Sequence, residues 1–163
     1  MKKTLIVMVC LVMYQTLHAQ NDDKQAIQLV IKTLFDGMYE GDSSKVHSMF
    51  TSGAEMATVM RDKAGNTVLR REPSIEGFLK AVGTPRKEKM TEEFWDVKVQ
   101  TDGDFAQAWC DYAFYIDHTF SHCGIDAFHL IRTKEGWKIF HLADTRRKDG
   151  CIIPDDIKSK HTK

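Results

Sequence analysis

The stretch SHCGIDAFHLIRTKEGWKIFHLADTRR, residues 121–147, decides the fold of this chain. Two runs rich in Ile, Phe, Leu and Trp flank Lys134-Glu135-Gly136, whose glycine can adopt the positive φ of a hairpin turn. The stretch therefore predicts two antiparallel strands that close a sheet. Asp126 and His141 stand among apolar residues here, and an unpartnered buried polar group costs about 1 to 3 kcal/mol. These two positions are the first candidates for a functional site.

The same period of two extends upstream to Glu92. Residues 92–101 and 105–117 flank Asp102-Gly103, a strong hairpin signal, so four long antiparallel strands are predicted. Earlier in the chain the pattern predicts two helices from Asn21–Asp23 onward, two short strands, and a third helix that opens at Pro73. This order predicts an α+β domain in which a curved sheet wraps around three N-terminal helices.

The first 19 residues have the pattern of a secretory signal peptide. Lys2 and Lys3 precede an apolar run from Leu5 to Val12 that is too short to span a bilayer, and Ala19 ends the segment before a polar start. We interpret residues 1–19 as a signal peptide, 20–151 as one domain and 152–163 as a polar C-terminal tail. The expected location is the periplasm or the cell exterior.

Cleavage would leave 144 of the 163 residues and a nearly neutral chain. The 23 Lys and Arg and 23 Asp and Glu become 21 against 23 when Lys2 and Lys3 are removed, a net charge of −2. This balance indicates neither nucleic acid nor an anionic membrane as a partner. Three cysteines would remain, Cys110, Cys123 and Cys151, with no metal-ligand spacing, so no metal and no cofactor are predicted.

Three segments carry a resemblance to a known group of proteins. The segments LFDGMYEGD (34–42), FSHCGIDAFHLIRTKEGWKI (120–139) and ADTRR (143–147) resemble exported bacterial proteins grouped as putative lumazine-binding proteins. With the order of elements, they place the chain from about Gln25 to Cys151 near the nuclear transport factor 2-like superfamily, which includes the SnoaL-like proteins. The resemblance implies a cone-shaped fold. Because this superfamily includes enzymes, ligand binders and dimerisation modules, the resemblance does not identify a function.

Side-chain alternation sorts the four long strands into two faces. We paired Thr101 with Asp104, Asp117 with Cys123, and either Arg132 or Lys134 with Trp137. The more apolar face, expected to be concave and covered by helices, then collects Trp95, Val97, Val99, Ala106, Ala108, Cys110, Tyr112, Phe114, Ile116, Asp126, Phe128, Leu130, Trp137, Ile139, His141 and Ala143. The mixed outer face collects Phe94, Asp96, Lys98, Gln107, Trp109, Asp111, Tyr115, His129, Ile131, Phe140 and Leu142.

The predicted site lies on the concave face. Asp126 and His141 would lie two residues out of register on adjacent strands, an arrangement suited to proton transfer, with Tyr112 as a hydroxyl donor to an oxyanion. A planar ligand would contact Asp126, His141 and an aromatic set, Trp95, Tyr112, Phe114 and Phe128. The structural alternative is that Asp126 caps backbone amides or pairs with an arginine, and that His141 and the aromatic residues are ordinary core.

Three other polar groups have structural interpretations. Asp111 and His129 are expected directly opposite each other on the outer face, as a polar contact at a dimer interface. His118, His122 and Cys123 are expected in a loop, solvated or with a Cys123–Cys151 bridge. The run 144–147 is expected to form surface ion pairs, although an arginine there could also hold an anion.

Two functions remain. The first is a non-catalytic exported domain that binds a small, largely apolar or planar molecule in the cone and forms a homodimer through the outer sheet face. The second is an isomerase- or dehydratase-like enzyme that uses Asp126 and His141. The first is preferred, because the sequence has no nucleophile beside a general base and no phosphate loop. A dimerisation module with a filled cone stays a third alternative.

We expect the mature protein to begin at Gln20, because Ala19 ends the signal-peptide pattern. Mass spectrometry of the N-terminus of the protein from its native host tests this. A chain that retains Met1 and fractionates with the cytosol would contradict it.

Overall fold

The computed structural model describes residues 2–72 and 74–162, and their side chains from Asn21 onward. The helices are α1 (Lys2–Glu40), α2 (Ser43–His47), α3 (Glu76–Gly83) and α4 (Asp155–Lys160). The strands are β1 (Phe50–Arg61), β2 (Thr67–Glu72), β3 (Met90–Asp102), β4 (Phe105–Ile116), β5 (Thr119–Thr133) and β6 (Gly136–Arg146). The predicted α+β class and order of elements are confirmed, with α4 added at the end. The predicted signal peptide and Pro73 lie outside the residues whose side chains are described.

All six strands form one curved sheet in the order β2-β1-β6-β5-β4-β3. The predicted run of antiparallel hairpins from β3 to β6 is present, and Arg132 pairs with Trp137 at its last turn. The β1 strand joins the sheet beside β6, and this pairing is parallel. The two halves of the sheet therefore meet at β6.

The apolar face of α1 packs into the hollow of the sheet. Ile27, Ile31 and Leu34 are fully buried at the spacing of one helix face. The ring of Phe35 lies 5.1 Å from that of Phe94 and 6.3 Å from that of Phe128. Each large side chain buried in this way contributes about 1.5 to 3 kcal/mol, so this face holds the helices against the sheet.

The first helix does not begin at Asn21–Asp23, where an N-cap was predicted, but continues from Lys2. Asp23 has another role within the helix. Its carboxylate pairs with Arg132 at 2.5 Å and accepts from the indole N–H of Trp137 at 3.4 Å. Asp23 thus ties α1 to the turn of the β5–β6 hairpin.

Three irregularities bend the long strands. The register shifts in β3 between Trp95 and Lys98, in β5 where Ser121 is the extra residue, and in β6 where Phe140 is the extra residue between the Leu130–Ile139 and His129–His141 pairs. Asp96 has a positive φ of 51° at the first of them. A one-residue bulge moves every later side chain to the other face, so these shifts decide what faces the cone.

The end of the chain covers part of the outer face of the sheet. Cys123 and Cys151 form a disulfide, one of the two expected alternatives, and Cys110 is buried and unbonded. Ile153 and Ile157 pack in one cluster with Tyr115, and the ring of His161 stacks on Tyr115 at 3.7 Å. The segment 152–162 is therefore docked on the sheet, although it was expected to be a polar tail. In the described part of the chain, no helix is long and apolar enough to cross a membrane.

Candidate functional site

A cavity of about 320 Å³ lies between the helices and the concave face of the sheet. We call it the cone cavity. Its apolar wall comes from α1, α3 and the facing strands: Leu34, Phe35, Met38, Phe78, Ala81, Val82, Met56, Met90, Phe114 and Leu142. Its polar lining consists of Arg86, Glu92, Tyr112, His122, Asp126, Asp144 and Arg146. The cavity is thus an apolar chamber with charged groups on the sheet side.

Of the predicted site residues, Asp126, Tyr112 and Phe114 line the cone cavity. Phe128 faces the same side but is fully buried in the core below it, edge-on to Phe35, and is not part of the cavity wall. The structural alternative therefore holds for Phe128. Asp126, Tyr112 and Phe114 lie where a ligand in the cavity would contact them.

The predicted placement of His141 is wrong. The bulge at Phe140 shifts β6 by one residue, so His141 lies opposite His129 on the outer face, with 3.3 Å between their Nδ1 atoms. Leu142, predicted outside, is buried inside instead. The Asp126 and His141 pair does not form, so the predicted proton transfer between these two side chains is not possible in this arrangement.

Trp95 is also on the other side of the sheet from its predicted position. The shift after Trp95 in β3 places Phe94 opposite Tyr112 on the concave face, and Trp95 packs beside the C-terminal segment. The expected contact between Asp111 and His129 is absent as well, because Asp111 lies opposite Ile125. Neither shift has a glycine or proline in the sequence to mark it.

Five polar cavity residues were missed as site residues: Arg86, Glu92, His122, Asp144 and Arg146. Asp144 and Arg146 were expected in a surface ion-pair cluster, and His122 in a solvated loop. Asp144 instead lies directly opposite Asp126 in the sheet, as the bulge at Phe140 requires. In the sequence, Glu92 was distinguished only by its position at the start of a predicted strand, which does not indicate a cavity residue.

Asp144 is held by two donors, one from β1 and one from β6. The hydroxyl of Thr58 donates to its Oδ1 at 2.6 Å, and Nε of Arg146 donates to its Oδ2 at 2.7 Å. The hydroxyl of Tyr112 lies 3.2 Å from Oδ2 and donates to the carbonyl oxygen of Thr145 at 2.9 Å. Asp144 is therefore a satisfied carboxylate, and the Tyr112 proton is already engaged.

Tyr112 can reach Thr145 because residue 124, opposite it on β5, is glycine. A Cβ on Gly124 would collide with the carbonyl oxygen of Thr145 and with the Tyr112 ring. Burial and the charge of Asp144 raise the pKa of the Tyr112 hydroxyl, so it stays protonated. The predicted role of Tyr112 as a donor to an oxyanion would require it to leave Thr145.

Asp126 and Glu92 form a buried carboxyl pair. Asp126 is 3% exposed and Glu92 is half-buried, and their side chains lie close enough to share a hydrogen bond. Two carboxyl groups can do so only when one is protonated. Burial, then the charges of Glu92 and Asp144, raise the pKa of Asp126 well above its ordinary value, so Asp126 carries the proton.

Burial also raises the pKa of Glu92, to about 7, with a further rise from Asp144 and an opposing effect of the hydrogen bond from Asp126. Glu92 therefore titrates near neutral pH. The pair has the property expected of an acid–base site, two titratable groups that differ in proton affinity at working pH.

His122 is a neutral side chain on the cavity wall. Burial, assisted by the charge of Arg146, lowers the pKa of His122 to about 4. Its Nδ1 lies 3.0 Å from the hydroxyl of Ser121, and its ring stacks on Phe114 at 5.0 Å between centroids. With His122 neutral, Arg146 and Arg86 are the cationic groups of the wall. In the described part of the chain, no group of His, Cys, Asp or Glu has an arrangement that would hold a metal ion.

Solved structures with the same fold define the class of this protein. A nuclear transport factor 2-like protein with a cystatin-like fold from Novosphingobium aromaticivorans has a TM-score of 0.66 at 15% identity, covering 85% of this chain and 90% of that one. A nuclear transport factor 2 superfamily protein from Salmonella enterica serovar Typhimurium has a TM-score of 0.63 at 17% identity, covering 82% and 96%. A protein from Streptomyces avermitilis described as a putative dehydratase of this superfamily has a TM-score of 0.60 at 15% identity, covering 78% and 97%.

At these identities the likeness shows the fold, and the fold is that of the nuclear transport factor 2-like superfamily. Within it, residues 22–141 match the family described as "Putative lumazine-binding", and the chain belongs to that family. The resemblance seen in the sequence is thereby confirmed. No curated protein matches the sequence. Membership of this family suggests a ligand-binding domain.

The raised pKa values make stability depend on pH. The folded state binds protons at Glu92 and Asp126 more tightly than the unfolded state, so the free energy of unfolding falls as pH rises from about 4.5 to about 7. We expect Glu92→Gln to flatten this fall and to gain about 1 to 2 kcal/mol relative to wild type between pH 5 and pH 8. Urea unfolding at both pH values measures it.

Glu135→Gln, in the exposed turn of the last hairpin, is the control and should leave the pH dependence unchanged. Equal pH dependence of Glu92→Gln and wild type would show that Glu92 is an ordinary carboxylate.

Proposed function

We propose that this protein is an exported, non-catalytic domain that binds a small, largely apolar or planar molecule in the cone cavity. One observation carries the proposal: an apolar chamber of about 320 Å³ ends on carboxyl groups that the protein itself does not fully pair. Ligand sites have this composition, mostly apolar walls with a few polar groups that orient the ligand. A filled core would not keep this volume beside buried carboxyls.

The size and shape of the chamber favour a flat molecule of two or three fused rings. The rings of Phe35 and Phe78 and the side chains of Met38 and Met56 line it from the helices and β1. Aromatic and thioether groups suit the face of a planar ligand. The family description refers to lumazine, a planar heterocycle, which agrees with this chemistry.

Export is supported by two features. One is the signal-peptide pattern of residues 1–19. The other is the Cys123–Cys151 disulfide, because such bonds persist in oxidising compartments and are rare in the cytosol. We therefore propose the periplasm or the cell exterior as the location of the mature domain.

A second function, isomerase- or dehydratase-like proton transfer, keeps support from the Glu92 and Asp126 pair, with Glu92 in the place predicted for His141. Its pKa of about 7 suits a general base. Such a reaction also needs a donor for the oxyanion that develops, and the Tyr112 hydroxyl is engaged by Thr145 at 2.9 Å. Binding without turnover is therefore preferred.

Binding should be detected as a thermal shift with planar heterocycles and steroid-like compounds. A ligand at a hundredfold excess over its Kd adds about 2.7 kcal/mol, which raises Tm by roughly 5 to 10 °C for a domain of this size. Ala81→Phe places a ring in the cavity and should abolish the shift. Ala64→Phe, in the exposed turn between β1 and β2, should behave as wild type. Equal shifts in both variants would place the ligand elsewhere.

Catalysis can be tested with 2-tetralone, a ketone with acidic hydrogens on a fused-ring body. We expect no acceleration of its deuterium exchange in D₂O above buffer, because the cavity lacks a free oxyanion donor. The exchange is followed by NMR. If wild type accelerates it and Glu92→Gln does not, the protein is an enzyme and the binding proposal is wrong.

We also propose a homodimer, through a smaller part of the outer face than the sequence predicted. Tyr115 is covered by the C-terminal segment and Leu142 faces the core. The remaining outer patch consists of Phe105, Trp109, Ile131 and Phe140, which are 45, 51, 42 and 38% exposed. Four large apolar side chains on adjacent strands form a patch that water solvates poorly, and a second copy of the chain would bury it symmetrically.

Sedimentation should give about twice the chain mass for wild type and the monomer mass for Trp109→Glu. Leu29→Glu, at an exposed leucine on α1 that lies outside the patch, is the matched control and should stay dimeric. A monomeric wild type at tens of micromolar would overturn the dimer.

A further inference from the structure

The carboxyl pair on the floor of the cone cavity has an acceptor oxygen without a donor. Asp126 is almost completely buried, and its Oδ2 has no hydrogen-bond donor among the described residues. Its side-chain partner is another carboxyl, that of Glu92. A buried acceptor left in this state costs about 1 to 3 kcal/mol, so the site is built at the expense of stability.

The donors on the cavity wall are engaged elsewhere. Arg146 donates to Asp144, and Arg86 contacts the carbonyl oxygen of Ala81 and the sulfur of Met90. Tyr112 donates to Thr145, and His122 interacts with Ser121. Each of these side chains has a partner on the protein, and in the described part of the chain the buried polar atom of the cavity wall that lacks one is Oδ2 of Asp126.

The charges around this pair come from every strand that borders the cavity. Asp144 and Arg146 on β6 form an ion pair and largely cancel each other, and His122 on β5 is neutral. Cys110 and Tyr112 on β4 are protonated, since burial raises the pKa of both. Helix α1 contributes only Leu34, Phe35 and Met38, and Arg86 stands at the far end of α3. The negative charge of Glu92 is left without a dedicated cation.

We propose that the ligand of the cone cavity carries a cationic nitrogen head group with paired N–H donors, of the amidine or aminoheterocycle class, on a planar apolar body. The head group docks on Glu92 and Asp126, and the body lies between Phe35, Phe78 and Leu142. This inference rests on the proposed binding function and specifies its ligand class. It follows from the buried carboxyl oxygen of Asp126 that the protein leaves unpaired beside Glu92 in an apolar chamber.

The proposed contact predicts that ligand binding releases a proton. In the empty site, Asp126 donates its proton to Glu92. When a cation donates N–H bonds to both carboxylates, that proton leaves to solvent, about one per ligand bound. Affinity for a permanently cationic ligand therefore rises with pH above the pKa of Glu92, about 7, because Asp126 must lose its proton, and it rises more steeply below that pKa because Glu92 must lose its proton as well.

Three probes with one body separate the head-group chemistries: naphthalene-2-carboxamidine, which is cationic, naphthalene-2-carboxamide, which is neutral, and naphthalene-2-carboxylate. Calorimetry should show the amidine binding at least about tenfold tighter than the carboxamide, and the carboxylate weakest, because a charge-assisted hydrogen bond is worth about 1.4 kcal/mol or more. Titration in two buffers of different ionisation enthalpy should show proton release, and affinity for the amidine should rise from pH 5 to pH 8.

Substitutions of the two carboxyl residues test whether they make the contact with the head group. Glu92→Gln should remove most of the preference for the amidine while the carboxamide keeps its affinity, and Asp126→Asn should do the same if its melting curve shows a folded protein. Asp111→Asn, a carboxylate on the outer face of β4, should change nothing.

The outcomes distinguish the two proposals. Equal binding of all three probes, or a preference for the carboxylate, would overturn the cationic head group and leave the binding function standing. An amidine preference that survives in Glu92→Gln would overturn the assigned contact. Failure of all three planar probes to bind would overturn both.

Discussion

The bulge in β6 at Phe140 determines what lies on the floor of the cone cavity. Side chains in a strand alternate between faces, so one extra residue turns His141 outward and brings Leu142 and Asp144 inward. Asp144 then comes opposite Asp126, and Arg146 follows it to the same face. Without this shift the imidazole of His141 would stand beside Glu92 and Asp126. With it, Asp144 and Arg146 take that place.

Those three carboxyls differ because their hydrogen-bond partners differ. Asp144 receives donors from Thr58 and Arg146 and is an ordinary paired carboxylate. Asp126 has no such donor, and burial next to Glu92 keeps it protonated. Glu92 borders both the cone cavity and the neighbouring groove between α1 and β3, so it is the member of the pair that solvent can reach.

The sequence was sufficient for the fold because the apolar pattern is strong and local. The spacing of Ile27, Ile31 and Leu34 predicted the buried face of α1, and the Asp102-Gly103 turn predicted the β3–β4 hairpin correctly. The inward positions of Tyr112 and Asp126 also followed from alternation, because β4 and β5 keep their register between these residues.

The site was predicted only in part, because bulges leave little trace in a single sequence. The errors at Trp95 and His141 each come from one register shift, and neither segment contains the glycine or proline that would mark it. Glu92 was missed because a polar residue at the start of a strand looks the same whether it faces solvent or a cavity. Its significance appears only when Asp126 is placed beside it.

The disulfide has a consequence for the unfolded chain. Cys123 and Cys151 are 28 residues apart, and all of β6 lies between them. Closing a loop of this length removes chain entropy that corresponds to roughly 3 to 4 kcal/mol. An oxidised chain that loses its tertiary structure therefore still holds its central strand near β5. Refolding then starts from a restricted ensemble in which β5 and β6 are already close in space.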